Sequence, residues 1–468
     1  MSRPSEQQPE PGPSAETDSC DVFPTNVHRR DVLAATLTAS GLALTGCLSD
    51  SDDSEEIPTL ELDESELLAV ADIDVPERPD LLPVDVKTEH VVSGQERVRS
   101  LLAPIPEDLT DEIPNQRVRT EIDEYRDDAQ QALESSENAT DPSDALSAVR
   151  SARRDGATAE GIYAVATKDY SRDDVFEWAA DVRTELDSVE DSLERTGDDV
   201  EPVVFVYEQI ERWLRSARDA VTGHIERIAP AASEVEAVRE ATRSVEMASA
   251  QLDDATHLQE QMPSATVFDE TLQASADTLV EERRDRAAEL PEERTEFVDL
   301  GIGGVSSDPV DTLLRLVRRD VEYVSERIED GQVAWAARQA HRFVLRLETI
   351  DGIEARFEGE QLEVPDSADD VETVKREAIQ AVKPLQENVG NSTLFDAGFN
   401  EAVGYIRNGD SRLERIQEDD LDVSESLRGS GYVFSALLSY RIAIEIANVV
   451  PNVTETVADV LETAAPDS

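Results

Sequence analysis

Apolar residues recur every three or four positions through most of this chain, and this period constrains its fold more than any other feature. One stretch carries Val175, Ala179, Val182 and Leu186, and similar runs continue towards the C-terminus. Such spacing places the apolar side chains on one stripe of an α-helix, where they pack against a neighbouring element. The alternating pattern of strands is nearly absent from the sequence. We therefore predict an all-α fold of about ten helices.

Residues that favour helix ends stand between these stripes. Asp330-Gly331 and Asn408-Gly409 are predicted helix ends, because glycine readily adopts the left-handed conformation that closes a helix. Asp141-Pro142 and Asp308-Pro309 are predicted helix starts, with proline in the first turn. The connections between the helices are short, which favours antiparallel neighbours and therefore helical bundles.

The composition of the chain changes along its length and predicts several segments. Residues 58–115 are rich in proline, which excludes long helices, so this segment is predicted to be irregular with a helix near Gln95 to Leu102. A glycine- and serine-containing stretch at 301–309 is the predicted linker between two bundles. The first bundle is expected at 116–300 and the second at 310–468.

The charge of the chain restricts its partners and its environment. Acidic residues number 105 against 43 basic residues, and the formal charge of -62 argues against a nucleic acid partner. The helical period argues against an acidic disordered chain. Only four of the basic residues are lysines. This composition resembles that of proteins from extremely halophilic archaea, for which molar salt shortens the screening length to about 3 Å.

Two export motifs stand near the N-terminus. Arg29 and Arg30 precede an apolar run of about 15 residues, which is too short for a permanent membrane span but fits the apolar region of a signal peptide. The arginine pair resembles a twin-arginine export signal. The sequence Leu44-Thr45-Gly46-Cys47 at the end of this run resembles the lipobox of bacterial and archaeal lipoproteins.

The resemblance to exported lipoproteins implies a processed and lipid-anchored chain. Residues 1–46 would be removed as a signal peptide after passage through the twin-arginine translocase, and Cys47 would carry the lipid. The protein would then stay on the outer face of the cytoplasmic membrane, with the acidic residues 47–57 as a flexible tether. Three sequons are candidate sites of N-glycosylation in an exported protein, and they begin at Asn138, Asn391 and Asn452.

The motifs of known catalytic and cofactor sites are missing from the sequence. The run Gly301-Ile302-Gly303-Gly304 lacks the remaining residues of a dinucleotide or phosphate loop, and Ser430 lacks the spacing of a hydrolase nucleophile. Asp254 and His257 form a single carboxylate-x-x-His step, which di-iron bundles use twice, so a surface histidine is the simpler interpretation. We therefore expect no catalytic residue, no metal and no cofactor.

The C-terminal region and the tryptophans are predicted to belong to the core. The stretch from Tyr432 to Val450 is strongly apolar, but Arg441 and Glu445 near its centre would be costly in a bilayer, which favours a buried core helix. The tryptophans lie beside apolar stripe positions and are likewise predicted to pack in the core, at Trp178, Trp213 and Trp335.

These observations leave three hypotheses about function. The first is a lipid-anchored helical scaffold or interaction module with a protein partner that the sequence does not identify. The alternative is a ligand-binding or sensory accessory lipoprotein whose pocket lies between helices and is lined by Trp213 or Trp335. The third is an enzyme, which requires carboxylates and His257 to meet in one cleft. A polar-lined cavity would favour the second hypothesis, and an exposed apolar patch would favour the first.

Overall fold

The computed structural model describes residues 62–168, 170–224, 233–291, 309–357, 365–418 and 427–465. Within these ranges the fold is all-α, as the apolar period predicts, with fourteen α-helices and one pair of two-residue strands. The number exceeds the ten expected because short helices such as Glu64–Ala71 and Arg284–Glu289 have too few turns to show a repeating apolar stripe.

The bounds of the elements follow the chain order. The helices are α1 (Glu64–Ala71), α2 (Thr88–Leu102), α3 (Gln116–Asn138), α4 (Pro142–Thr167), α5 (Arg172–Asp191), α6 (Val200–Asp219), α7 (Glu234–Gln261), α8 (Asp269–Glu281), α9 (Arg284–Glu289), α10 (Pro309–Glu329), α11 (Val333–Phe357), α12 (Ala368–Gln386), α13 (Thr393–Glu418) and α14 (Leu427–Ala464). A π-helical turn, Ala220–His224, continues α6. Strands β1 (Thr196–Gly197) and β2 (Thr266–Val267) pair antiparallel.

Local capping signals account for several of these helix ends. The Asp141 carboxylate accepts the backbone N–H of Ser143 at 2.7 Å at the start of α4, and Pro309 is the first described residue of α10. Gly331 has a φ of +73°, as expected for the residue that closes α10. The predicted start at Asp141-Pro142 and the predicted end at Asp330-Gly331 are confirmed, whereas Asp308 lies outside the described residues.

The predicted helix end at Asn408-Gly409 is wrong, because α13 continues through both residues to Glu418. Gly409 faces α14, and the ring of Tyr440 occupies the space that a Cβ atom at this position would need. The glycine therefore permits two helices to approach closely, and it does not close one of them.

Two hydrophobic clusters hold the helices together. The larger cluster contains buried side chains of α1 and of every helix from α5 to α14. A smaller one packs the connection between α2 and α3 against α3 and α4, around Ile113, Ile122 and Ile162. The predicted linker at 301–309 lies outside the described residues except for Pro309, so the division into two bundles stays a prediction.

The proline-rich segment is described from residue 62 onwards, and its two helices, α1 and α2, lie between prolines. The connection between them, residues 73–87, is called the strap because it runs along the helical body. The Asn400 side chain donates to the Pro79 carbonyl at 2.9 Å, and the Ser143 hydroxyl donates to the Asp80 carboxylate at 2.7 Å. These bonds attach the strap to α13 and α4.

Helix α14 is long and apolar enough to cross a membrane by length and composition, and it is the one such helix in the described residues. Its most apolar window is 83% buried inside the protein. Arg441 forms an ion pair with Glu377 at 2.8 Å, and Glu445 pairs with Arg356. In this structure α14 is a core helix, as the charged residues near its centre predict.

Candidate functional site

A cavity of about 250 Å³ opens between the strap, α4, α6 and α11. It is much larger than the ~10–15 Å³ that holds one water molecule. Four arginines line it, and we call it the arginine pocket: Arg150, Arg212, Arg338 and Arg342. Two carboxylates, Asp80 and Glu208, also line it. Among these six charged residues the arginines outnumber the carboxylates by two to one.

Helical spacing brings these side chains to one place. On α11, Arg338 and Arg342 lie four residues apart and therefore on the same face of the helix. On α6, Phe205, Glu208 and Arg212 lie three and four residues apart, and they share one face in the same way. Because α6 and α11 pack against each other, both faces contribute to the same cavity.

Arg338 is the most buried of the four arginines, with 3% of its surface exposed. Its guanidinium donates to Nδ1 of His341 and lies 4.8 Å above the ring of Phe205. Its Nε atom has no partner, and no carboxylate of the described residues lies within ion-pair distance of it. Burial, reinforced by the charge of Arg342, lowers the pKa of Arg338 to about 9. The protein interior thus contains a guanidinium without an ion-pair partner.

His341 does not neutralise this charge. Its ring is buried, and its Nε2 atom has no partner in the structure. Burial, together with the charge of Arg338, lowers the pKa of His341 well below its ordinary value. The imidazole is therefore neutral and accepts a hydrogen bond from Arg338 without contributing a negative charge.

Glu208 compensates part of the remaining positive charge. Its Oε1 atom lies 3.5 Å from Nη1 of Arg212 and 3.9 Å from Nη2 of Arg342. One buried carboxylate thus faces two guanidinium groups, and both distances are long for a charge-assisted hydrogen bond. Neither arginine has its hydrogen-bonding capacity filled by this contact, since a guanidinium carries five N–H donors.

Part of the pocket lining is apolar. Trp213 lies there with the Arg150 guanidinium 4.8 Å from the centre of its ring, and Leu81, Leu82 and Leu146 complete this wall. Trp213 is thus a pocket residue, as the ligand-binding hypothesis requires, although it also packs against the core. Trp335 does not belong to the lining.

A second depression, of about 520 Å³, borders the arginine pocket and shares Leu146 and Arg150 with it. We call it the histidine groove, because the rings of His90 and His257 stack in it with their centres 4.1 Å apart. Nε2 of His90 bonds to Asp254 at 2.7 Å, and Arg150 donates to the same carboxylate at 2.6 Å. Trp178 lines this groove.

His257 is buried, so the expectation of a surface histidine is wrong. The Lys87 backbone N–H donates to Nε2 of His257 at 3.3 Å, and burial lowers the pKa of this imidazole. Asp254 and His257 thus hold the strap and α2 against α7. In the ranges that the structure describes, no group of three or more His, Cys, Asp or Glu side chains is placed to hold a metal ion.

Carboxylates and His257 do meet in one cleft, which is the arrangement that the enzyme hypothesis requires. Asp253, Asp254 and Glu260 line the histidine groove, but three arginines line it too. Asp254 is bonded to His90 and Arg150, and His257 accepts the N–H of Lys87, so both groups are engaged in holding the fold.

The export and anchor residues lie outside the described residues: Arg29, Arg30, Leu44, Thr45, Gly46 and Cys47. The asparagines of the three sequons are described, and all are exposed: Asn138, Asn391 and Asn452. Asn138 ends α3, Asn391 precedes α13 and Asn452 lies in α14. Their exposure is compatible with glycosylation.

Sequence reasoning missed the pocket arginines. The available signal was the spacing of Arg338, Arg342 and Arg346 at four-residue steps within a helix that is otherwise rich in buried apolar residues. Charged residues at regular helical steps usually form a solvated face, and the sequence does not distinguish such a face from the lining of a cavity.

The chain is similar to two domain families. Residues 89–267 match the family model described as Domain of unknown function (DUF8262), and residues 269–459 match Domain of unknown function (DUF8264). The two matches meet at residue 268. No curated protein and no solved structure matches the chain. The arginine pocket takes Arg150 and Arg212 from the first matched region and Arg338 and Arg342 from the second.

Proposed function

We propose that this chain is an exported, lipid-anchored protein of a halophilic archaeon that binds a small molecule in the arginine pocket. The observation that carries the binding proposal is the polar-lined cavity between helices with Trp213 in its wall. Binding sites form preferentially in such concave places between packed elements, where a few charged groups set the orientation of the ligand. The export and anchoring part of the proposal is supported by Arg29, Arg30 and the lipobox ending at Cys47.

Two further observations favour a ligand-binding protein over a scaffold. Small-molecule sites are concave and form between packed elements, and this pocket takes residues from both family-matched regions and from the strap that precedes them. Among the described residues, the large apolar side chains that are exposed are Val92 and Val267, so no broad apolar docking patch supports the scaffold.

The anchor is tested by replacing its lipidated residue. Cys47→Ser should leave the protein unprocessed or release it into the medium, because the lipid that holds it at the membrane can no longer be attached. Cell fractionation and the mass of the mature chain measure both effects. The matched control is Cys20→Ser, at the other cysteine of the chain, which should be processed and retained as the wild type is. Unchanged retention and mass of the Cys47→Ser variant would overturn the anchor.

Binding is tested on the protein from its own cells. The full chain is purified at molar salt and denatured, and the released small molecules are analysed by mass spectrometry. We expect one compound to accompany the wild type and to be lost from Gln209→Trp, which fills the pocket from α6. Cross-linking in intact cells with a C-terminal tag is the parallel measurement. A stoichiometric protein partner without a pocket compound would favour the scaffold.

A further inference from the structure

The surroundings of Arg338 are unusual for this chain. Carboxylates are abundant, with 105 acidic residues against 43 basic ones, and other buried or half-buried cations have carboxylate partners. Arg153 pairs with Glu246 and with Asp253, each at 2.7 Å. Arg346, two turns after Arg338 on the same helix, pairs with Asp320 at 2.9 Å. Glu208 and Glu401 are near enough for their charges to act on Arg338, but among the described residues no carboxylate lies within ion-pair distance of it.

The position of this unpaired charge indicates a ligand. Arg338 lines the arginine pocket beside Arg342, so two guanidinium groups from adjacent turns of α11 border one open space. Like charges in a poorly hydrated site repel each other, and burial makes the unpaired guanidinium costly. A bound anion between them would remove both costs. The planar fork of N–H donors on each arginine matches the oxygen atoms of a carboxylate or a phosphate.

The apolar residues of the lining indicate that the ligand also has an apolar part. Leu81 and Leu82 of the strap, Leu146 of α4 and the Trp213 ring form an apolar wall of the same cavity. A free inorganic anion would leave this wall in contact with water, whereas an apolar group attached to the anion would cover it. The lining of the cavity therefore combines guanidinium groups with apolar side chains.

We infer that the arginine pocket takes a small organic oxyanion, in which a carboxylate or phosphate group pairs with Arg338 and Arg342 and an apolar part contacts Trp213. This inference rests on the proposed function, because it names the class of ligand for the same site. The carboxylate and the phosphate share the chemistry that the two guanidinium groups recognise, and the probes below distinguish them.

The experiment compares probes of similar shape and different charge. The full chain carrying Cys47→Ser is titrated at constant molar salt with benzoate, phenyl phosphate, benzamide and benzamidine, and binding is followed by calorimetry. The two anions should bind, whereas the neutral amide and the cation should not. The tighter of the two anions identifies the acid group that the site prefers.

Variants test the assigned residues. Arg338→Met and Arg342→Met should each weaken anion binding by about 10- to 100-fold, the loss expected for a hydrogen bond to a charged group. Arg218→Met is the matched control, because Arg218 lies on α6 outside the pocket and pairs with Asp187 and Glu190. Circular dichroism verifies folding, and the partly exposed Arg342 supplies a second variant if Arg338→Met does not fold.

The outcomes separate this inference from the proposed function. Binding of anions by the wild type and by Arg218→Met, with loss in the pocket variants, supports both. Equal binding of benzamide and benzoate, or full binding of benzoate by Arg338→Met and Arg342→Met, overturns the anion class and leaves a ligand pocket. If no probe binds and no compound is released from the purified protein, both proposals are overturned.

Discussion

Two buried cations in this protein have opposite surroundings. Lys375 on α12 is fully buried, and its ammonium group donates to the carbonyls of Val70 and Ala71 at 2.9 and 2.8 Å and lies 2.8 Å from the Asp410 carboxylate. Asp410 also accepts from the hydroxyl of Tyr440 at 2.7 Å. Arg338 on α11 is almost as buried, but its described hydrogen-bond partner is a neutral imidazole.

The difference lies in the acceptors that the chain itself supplies to each cation. An ammonium group has three N–H donors, and the chain supplies three acceptors for Lys375, two of which are carbonyls at the C-terminal end of α1. The packing around the two cations differs in the same way. Beside the lysine network Gly409 lies directly against the ring of Tyr440, whereas beside Arg338 a cavity of about 250 Å³ stays open.

The largest expected effect is the loss of stability in Lys375→Met. The substitution leaves the Asp410 carboxylate and two carbonyls without their donor, and breaking a buried ion pair in this way costs about 3–5 kcal/mol. Urea unfolding at constant molar salt measures it. The matched control is Lys383→Met on the same helix, which is exposed and should change the free energy of unfolding by less than about 0.5 kcal/mol. Equal effects of the two substitutions would contradict the structural role of Lys375.

A second effect concerns Glu211, which holds the start of the helix that carries Arg338. Its carboxylate accepts the N–H groups of Ala334 and Trp335 at 3.2 and 2.7 Å and pairs with Arg195. Burial outweighs these contacts and raises the pKa of Glu211 from 4.5 to about 7. The folded state therefore holds this proton more firmly than the unfolded state does. Its contribution to stability is complete below pH ~4.5 and is lost as the pH rises through ~7.

We expect this contribution to reach about 3 kcal/mol at most and to be missing from Glu211→Gln. The measurement is urea unfolding of the wild type and the variant over this pH range at fixed salt. Glu322→Gln, at an exposed position on α10, should keep the wild-type profile. Parallel profiles of the wild type and Glu211→Gln would show that Glu211 does not titrate in this window.

Two glycine substitutions test the difference in packing. Gly409→Ala should destabilise the fold by about 1–3 kcal/mol, because the added methyl group meets the ring of Tyr440. Gly156 also lies inside a helix, but a Cβ atom added there would fit, because its nearest neighbour would be the Leu101 side chain at 3.6 Å. The Gly156→Ala variant should gain up to about 1 kcal/mol from helix propensity. Thermal unfolding of both variants measures the effects, and a stable Gly409→Ala protein would refute the close packing at Tyr440.

The smallest expected effect on stability is that of Arg338→Met. Removing a buried cation without a carboxylate partner eliminates a desolvation cost, so the free energy of unfolding should stay within about 1 kcal/mol of the wild type or increase. Arg346→Met, two turns further along α11, breaks the pair with Asp320 and should cost about 3–5 kcal/mol. Urea unfolding compares the two. A similar loss in both variants would mean that Arg338 is a structural charge like Lys375.

Much of the fold could be predicted because its signals are local. The apolar period placed Val175, Ala179, Val182 and Leu186 on one face of α5, and all four are buried. The start of α4 at Pro142 follows from neighbouring residues alone. The twin-arginine and lipobox motifs are local too, and the location that they predict depends on a few adjacent residues of the chain.

The candidate site could be predicted only in part. The sequence predicts core packing for the tryptophans, and the ligand-binding hypothesis names Trp213 or Trp335 as pocket residues; of these two, Trp213 lines the cavity. The burial of Arg338 and the stacking of His257 on His90 depend on contacts between distant parts of the chain. The same holds for Asn408-Gly409, where the local preference for a helix end is overridden by the approach of Tyr440.

By itself the sequence determined that this protein is helical, where several helices begin and end, and which residues are predicted to export and anchor it, because these properties depend on neighbours along the chain. The tertiary structure decided which charges are neutralised. Lys375 finds its carbonyl partner Val70 at a separation of 305 residues, whereas Arg338 is left facing an open cavity. Burial and partner choice arise only when distant helices pack, and they distinguish a structural cation from one available to a ligand.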